Sequence, residues 1–346
     1  MPTAVRATAT YLPPSAVSNE DLAERLIAGS GPDLRHDERE LVRARARGLE
    51  RKTGLVERRF FAAADDPVAI AYGVLGDLVA GAGARWDELD GIVVSSSRSH
   101  GFPGVSQRRV ARARSEHVGL GDPFVLDLGS NACTGFMYAV GIASSLIATQ
   151  GYRNVAVLAV EFSSRCLDYR ASAFASSMLF GDAVSGLLLA AGGNARAELL
   201  SVHMGSRIDA ERITHIRGAG VTAFAPDEPA PASERWFVDG PPVARGAIDI
   251  LVAEVQRYQR AGVDVDWLIP HQANLTRILH PACDAVGVPR ERLCTSFAHT
   301  GNTSSASIPL LLDDLLASGR AKSGDDVILV GFGASYSTGS AHLRVA

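Results

Sequence analysis

The sequence predicts a layered α/β fold, and three observations predict it. Short β-branched runs alternate with longer stretches of helical periodicity along most of the chain. The short runs are continuously apolar, as strands buried on both faces are. At 346 residues, 47% hydrophobic and 21% charged, the chain can bury the core of two domains or of one large duplicated α/β unit.

Strands are expected at Gly91–Ser95, Phe124–Leu128, Val155–Val160, Trp267–Ile269 and Val327–Gly331. Helices are expected between them, at Pro67–Gly81, Thr134–Thr149, Arg245–Ala261, Asn274–Val286 and Ser304–Ser318. Three segments read as irregular. Ser30–Leu55 is highly charged, Ser96–Gln107 holds Gly101, Pro103 and Gly104, and Gly218–Pro242 holds Pro226, Pro229, Pro231, Pro241 and Pro242. The order strand–Cys–helix in the first part is echoed by strand–His–helix in the second. Two related halves, residues 1–192 and 193–346, are expected to meet near Gly192–Arg196.

Charge and cysteine usage exclude several classes. A net charge of −4 gives no whole-molecule attraction to nucleic acid or to an anionic membrane. Lys52 and Lys322 are the only lysines, so arginine carries nearly all the basic charge. The four cysteines, Cys133, Cys166, Cys283 and Cys294, form no C-x-x-C pair and no Cys/His cluster of zinc-binding spacing. No metal and no cofactor is expected. Reduced thiols in a cytoplasmic protein are the simpler reading. Met1–Ser18 has no basic stretch followed by an apolar run, so no signal peptide is expected, and the apolar runs are too short to span a bilayer.

Cys133 stands out among the thiols. A buried strand ends at Leu128, a polar turn Gly129–Asn131 follows, and Cys133 then opens a helix that is apolar nearly all round. A thiol there meets free N–H groups and the positive end of the helix dipole, which favour thiolate. Lowering its pKa by about two units would ionise most of it at neutral pH. The bland alternative is a small buried hydrophobe. Cys283, in an apolar helical stretch, and Cys294, in an expected strand, are read that way. Cys166, in a serine-rich turn after a strand, is the rival nucleophile.

The second half offers partners. A strand runs into Pro270 and leaves His271 at its C-terminal edge, where sites of α/β sheets gather. The alternative role is capping the next helix. Asn302, in Gly301-Asn302-Thr303-Ser304-Ser305, can cap a helix or turn its amide into a site as a donor. His299 is a lower-ranked neighbour. Near the C-terminus the turn Gly331-Phe332-Gly333-Ala334-Ser335 can bring a backbone N–H to a reacting carbonyl, and it lacks the G-x-x-x-x-G-K pattern of a phosphate loop.

Taken in order, these residues resemble the β-ketoacyl-[acyl-carrier-protein] synthase III family of the thiolase superfamily, over nearly the whole chain. Tyr11-Leu12-Pro13 and Arg51-Lys52-Thr53-Gly54 resemble its N-terminal motifs, and Ala132-Cys133-Thr134-Gly135-Phe136 its nucleophile motif. Phe180-Gly181-Asp182-Ala183 resembles the F-G-D-G turn. His271-Gln272-Ala273-Asn274 and Gly301-Asn302-Thr303-Ser304 resemble the two remaining catalytic motifs. The resemblance implies a thiolase-like five-layered α-β-α-β-α fold with two pseudo-duplicated halves, and a homodimer. It implies an acyl-Cys133 intermediate, and His271 and Asn302 polarising the thioester carbonyl of a malonyl-type extender. The backbone N–H groups of Cys133 and Ala334 would form the oxyanion hole. Decarboxylative condensation is the implied reaction. Acyl transfer to a hydroxyl, amine or carrier thiol on the same scaffold is the alternative, and a silent subunit supporting an active partner is a third.

The departures point away from a coenzyme A primer and toward a specialised, polyketide-like pathway supplied by a carrier protein. Arg35–Leu49 lacks the family's tryptophan, Ala173–Met178 replaces its D-R, and Ala334-Ser335 replaces Gly-Gly. Arg39, Arg43 and Arg47 recur every four residues and would share one helix face. With Lys52 and Asn274 they are the candidates for binding an acidic acyl carrier protein or acyl-coenzyme A. Arg108, Arg109, Arg112 and Arg114 form a second cluster. The plainer reading of each cluster is a solvated helix face.

Overall fold

The computed structural model describes residues 3–96, 123–129, 132–206, 214–216, 236–238, 240–333 and 337–346. Its frame is a nine-stranded sheet. In chain order the strands are β1 (Thr3–Tyr11), β2 (Gly91–Ser95), β3 (Phe124–Leu128), β4 (Asn154–Glu161) and β5 (Ala183–Ala191), then β6 (Ala197–Ser206), β7 (Trp267–Pro270), β8 (Asp326–Phe332) and β9 (Ser337–Val345). The spatial order is β7-β8-β9-β6-β1-β5-β4-β2-β3. β2 runs parallel to β3 and β4, and β7 parallel to β8, whereas β1 pairs antiparallel with both β5 and β6. The β1–β6 ladder is short, Thr3–Val5 against Ala197–Leu199, and it joins the two ends of the sheet.

Helices divide the core into layers. Helix α1 is Asn19–Gly29, α2 His36–Arg47, α3 Pro67–Gly81, α4 Gly135–Gln150, α5 Gly240–Arg260 and α6 Ser307–Ala317. On one outside face α3 lays Leu75 and Leu78 against Val94, Leu158 and Val184. On the other, α5 lays Ile250 and Leu251 against Leu268 and Ile328. Between the two groups of strands lie α4 and α6, whose Phe136, Met137, Leu311 and Leu312 share one core with Val157, Leu187, Leu329 and Ala341. This is the α-β-α-β-α arrangement of a thiolase-like fold. It explains why the first three turns of α4 are apolar nearly all round: they are largely buried, and truncating Phe136 to alanine would cost about 3–5 kcal/mol. Close approach is built in. A Cβ on Gly331 would lie 2.9 Å from Met137 Cγ, and one on Gly339 2.5 Å from Met137 Cβ.

The local signals account for the helix boundaries. Asp66 accepts from the Val68 N–H at 2.8 Å and Pro67 occupies the first turn, so α3 starts there. Helix α4 stops at Gly151, which has a left-handed φ of 72°.

Four expectations are corrected. Ser30–Leu55 is not irregular: it forms α2 and a short helix Leu49–Thr53. Val42, Ala46 and Leu49 make a narrow apolar stripe among the charges and pack with α1, where Leu22 and Leu26 are fully buried. The helix expected at Asn274–Val286 is two pieces, a π-turn Leu275–Leu279 and a helix His280–Ala285. Pro281, without an N–H, breaks the regular ladder, and the N–H groups of Ile278 and Leu279 both go to the Asn274 carbonyl. Cys294 lies beside a single bridge between Leu268 and Leu293, not in a strand. Pro241 and Pro242, read as loop, fall in the first turn of α5, where proline is tolerated. Most of Ser96–Gln107 and of Gly218–Pro242 lies outside the described residues, as do Arg108, Arg109, Arg112 and Arg114.

Candidate active site

Cys133 sits in a 3-10 turn, Ala132–Thr134, between β3 and α4. The Thr134 hydroxyl, 2.6 Å from the Ser337 hydroxyl, ties this turn to β9. The Ser304 hydroxyl donates to Cys133 Sγ at 3.5 Å. Cys133 is part-exposed at the surface, yet its surroundings are dense enough for burial to dominate. Burial pushes the thiol up to about 12, and the Glu161 carboxylate pushes the same way. The Ser304 hydroxyl, the Cys133 N–H and the Asn302 amide pull against them. A resting thiolate, expected from the helix start, is therefore corrected: the resting group is a thiol. Desolvation outweighs the donors at the helix start.

His271 follows β7, and its N–H donates to the Val330 carbonyl of β8 at 2.8 Å. Its ring is buried, edge-on to Phe332 at 4.9 Å between centroids. Burial lowers its pKa to about 3, with a contact to the Ser304 carbonyl working weakly against it, so the imidazole is neutral at pH 7. Nδ1 lies 2.9 Å from Ser307 Oγ, which leaves Nε2 for chemistry. Capping of the next helix falls to Asn274, not His271: its side-chain oxygen accepts from the Arg277 N–H at 2.9 Å.

Asn302 is clamped by its backbone. Its N–H donates to the Leu179 carbonyl at 2.7 Å, and its carbonyl accepts from the Gly181 N–H at 3.0 Å. The side-chain oxygen accepts from the Ser304 N–H at 2.8 Å. Its oxygen thus caps the turn, and the amide is close enough to the thiol to favour its ionised form.

Ser304 links these groups. Its backbone φ is 50°, the only positive φ at a non-glycine residue among the described residues. That conformation costs roughly 1–3 kcal/mol. It lets one residue touch Cys133 through its hydroxyl and Asn302 through its N–H, while its carbonyl accepts from the Ser307 hydroxyl at 2.8 Å. Ser307 in turn meets His271. Cys133, His271 and Asn302 are therefore brought together by one short turn.

Sequence reading named Ser304 and Gln272 only as members of motifs, without a role, and missed Ser307 and Glu161. Gln272 is fully buried, and its side-chain oxygen accepts from Thr295 Oγ1 at 2.9 Å and from the N–H groups of Ser296 and Phe297. It thereby fixes the segment leading to Asn302. Glu161 had a usable signal, a carboxylate ending an otherwise apolar run. Asp182 is also buried. It accepts from the N–H groups of Phe61 and Ser164 and from the Ser164 hydroxyl, and burial pushes it up to about 6.

His299 is exposed, 3.7 Å from a Glu57 carboxylate oxygen. Cys283 and Cys294 are buried packing residues. Cys166 ends a 3-10 turn, Ser163–Cys166. Ala334 lies outside the described residues. Arg39 donates to the Leu34 carbonyl at 2.9 Å, and Arg43 pairs with Glu24 and Glu40, each at 2.7 Å. Arg47 and Lys52 are exposed. The Thr276 hydroxyl donates to the Lys52 carbonyl at 2.7 Å and also meets Asn274, so Lys52 and Asn274 are neighbours. Among the described residues no group of His, Cys, Asp and Glu could hold a metal ion, and no helix is long and apolar enough to cross a membrane.

A thiolase-like α/β fold that gathers a cysteine, a histidine and an asparagine on one turn defines the class. Comparison with known proteins gives the family. Residues 126–207 match the model for 3-oxoacyl-[acyl-carrier-protein] synthase III, and residues 256–345 match the model for its C-terminal part. The β-ketoacyl-[acyl-carrier-protein] synthase III of Granulibacter bethesdensis is 31% identical over 345 residues, 97% of each chain. The crystal structure of 3-oxoacyl-(acyl carrier protein) synthase III from Pseudomonas aeruginosa PAO1 superposes with a TM-score of 0.79 at 28% identity, covering 100% of this chain and 98% of that one. The priming β-ketosynthase of the R1128 polyketide biosynthetic pathway superposes with a TM-score of 0.80 at 26% identity, covering 99% and 96%. The chain belongs to the β-ketoacyl-[acyl-carrier-protein] synthase III family.

Proposed function

We propose that the chain forms an acyl-thioester on Cys133 and passes the acyl group to a malonyl-type extender by decarboxylative Claisen condensation. The turn Asn302–Ser307 carries this reading, because it touches Cys133, Asn302 and His271 at once. In the first half-reaction Cys133 Sγ attacks the donor thioester. The new C–S bond forms, the donor's C–S bond breaks, and the Cys133 proton leaves with the donor thiol. Neutral His271 is the group able to carry that proton between the two sulfurs. The N–H groups of Cys133 and Ala334 would hold the oxyanion, at about 3 kcal/mol per donor.

In the second half-reaction a malonyl thioester loses carbon dioxide, its enolate carbon attacks the acyl carbonyl, the C–S bond to Cys133 breaks, and the released Cys133 thiolate takes up one proton from solvent. The developing enolate needs neutral donors in contact with it, and a carboxylate in the place of Asn302 would repel it. The Asn302 amide and neutral His271 meet that need. The donor is proposed to be an acyl carrier protein or acyl-coenzyme A, docked near exposed Arg47 and Lys52 beside Asn274, and the protein a homodimer. A specialised, polyketide-like pathway is supported by the R1128 likeness and by the departures at Arg35–Leu49 and Ala334-Ser335.

A second reading is acyl transfer to a hydroxyl, amine or carrier thiol with His271 as general base. Burial lowers the His271 pKa to about 3 and leaves it a weak base toward a hydroxyl or amine, which favours condensation. Carboxyl-labelled malonyl-carrier separates the two. Labelled carbon dioxide released only with an acyl donor and an intact Cys133 supports condensation. Acyl loading of Cys133 without any release contradicts condensation and leaves acyl transfer.

A further inference from the structure

Glu161 ends β4, a strand otherwise apolar after Asn154, and its side chain is 1% exposed. Burying a carboxylate is unfavourable unless it is well bonded. Here one carboxylate oxygen accepts from the Ser305 N–H at 3.2 Å and from the Ser305 hydroxyl. Ser305 is itself fully buried and follows the left-handed Ser304. The 3-10 turn Ser304–Ala306 leads directly into α6, so its first N–H groups have no partner within the helix. A carboxylate from a distant strand satisfies one of them and places negative charge at the helix start, where it is stabilising.

We infer that Glu161 is a positioning residue for the acyl-transfer site, holding Ser305 so that the left-handed Ser304 keeps its hydroxyl on Cys133 and its N–H on Asn302. The inference rests on the reading of Cys133 and Asn302 as site residues. Ser304 has no reason of its own to stay left-handed, since an L side chain disfavours that region. Fixing the next residue on both its N–H and its hydroxyl removes the freedom to relax. Glu161 then acts on Cys133 in two opposed ways. Its charge disfavours the thiolate, while the turn it holds presents the Ser304 hydroxyl and the Asn302 amide that favour it. The two effects can be separated by substitution.

The probe is iodoacetamide, and the measurement is the alkylation rate of Cys133 against pH. It is read by peptide mass on the full chain in wild type, Glu161→Gln and Ser305→Ala, with Cys133→Ala as labelling control and thermal melts alongside. Glu161→Gln removes the charge and keeps the shape, so its curve is expected to move to lower pH. Ser305→Ala keeps the charge and releases the turn, so its curve is expected to move to higher pH, with the rate at pH 8 falling about threefold or more. Opposite displacements support the positioning role. Curves that superimpose on wild type, or that both move the same way with a falling melting temperature, overturn it. Failure of the catalytic reading looks different: Cys133 alkylation still responds to both substitutions, but no acyl thioester loads it.

Discussion

On helix α2, Arg43 spends its guanidinium on Glu24 and Glu40 in open solvent, and Arg39 spends its own on backbone carbonyls next door. In the turn Asn302–Ser307 the serines are buried, and each reaches a different element: Ser304 reaches Cys133, Ser305 reaches Glu161 and Ser307 reaches His271. Arginines at four-residue spacing are conspicuous in a sequence, and serines are not. The energetics run the other way. An exposed ion pair is screened by water and salt and must hold long side chains still. A buried hydroxyl has no water to fall back on, so each of its bonds constrains the geometry.

Substitutions in the two regions should differ accordingly. The largest effect is expected from Asn302→Asp, which replaces donors with a carboxylate where the enolate develops. Condensation, measured as labelled carbon dioxide release, should fall about 100-fold or more while Cys133 still loads in an intact-mass assay. Next comes Ser304→Ala, which removes the hydroxyl from Cys133 and leaves an alanine in the left-handed region. Acyl loading should fall about tenfold. Ser304→Gly, which adopts that backbone freely, should recover thermal stability relative to Ser304→Ala without recovering loading, and this separates the strain from the hydroxyl.

A third effect is on stability against pH. The unfolded chain protonates His271 near the ordinary value of 6.5, whereas the folded protein does so only near about 3. The folded value is depressed, so the contribution is present in full above pH 6.5 and is lost as pH falls toward 3. Urea midpoints should therefore drop over that window, and His271→Gln should flatten the drop. The smallest effect is expected from Arg43→Ala, whose urea midpoint and acyl loading should both match wild type within scatter. A large loss of loading there would reverse the comparison and extend the donor site along α2 from Arg47 to Arg43.

How much of this could be read from the sequence follows from the same physics. Strands β2 and β3 and helix α3 fall where their apolar runs and the Asp66-Pro67 start place them. The apolar pattern did not mark helix α2, whose stripe is only Val42 and Ala46 amid charge, and only the four-residue spacing of its arginines suggested a helix there. Cys133, His271 and Asn302 were legible as candidates from their strand ends and turns and as a set from the family resemblance. The protonation of Cys133 was not, because it depends on the density of packing around a helix start and on a carboxylate from β4. Ser304 was not legible either, since a left-handed serine is a property of tertiary context. Gln272 and Glu161 act on segments more than twenty residues away, which no local pattern encodes.

The most direct measurement is the intact mass of wild type and Cys133→Ala after incubation with a panel of acyl-coenzyme A and acyl-carrier donors. The predicted result is a gain of one acyl group in wild type that Cys133→Ala abolishes. A gain that survives in Cys133→Ala would contradict the assignment of the nucleophile and move it to Cys166.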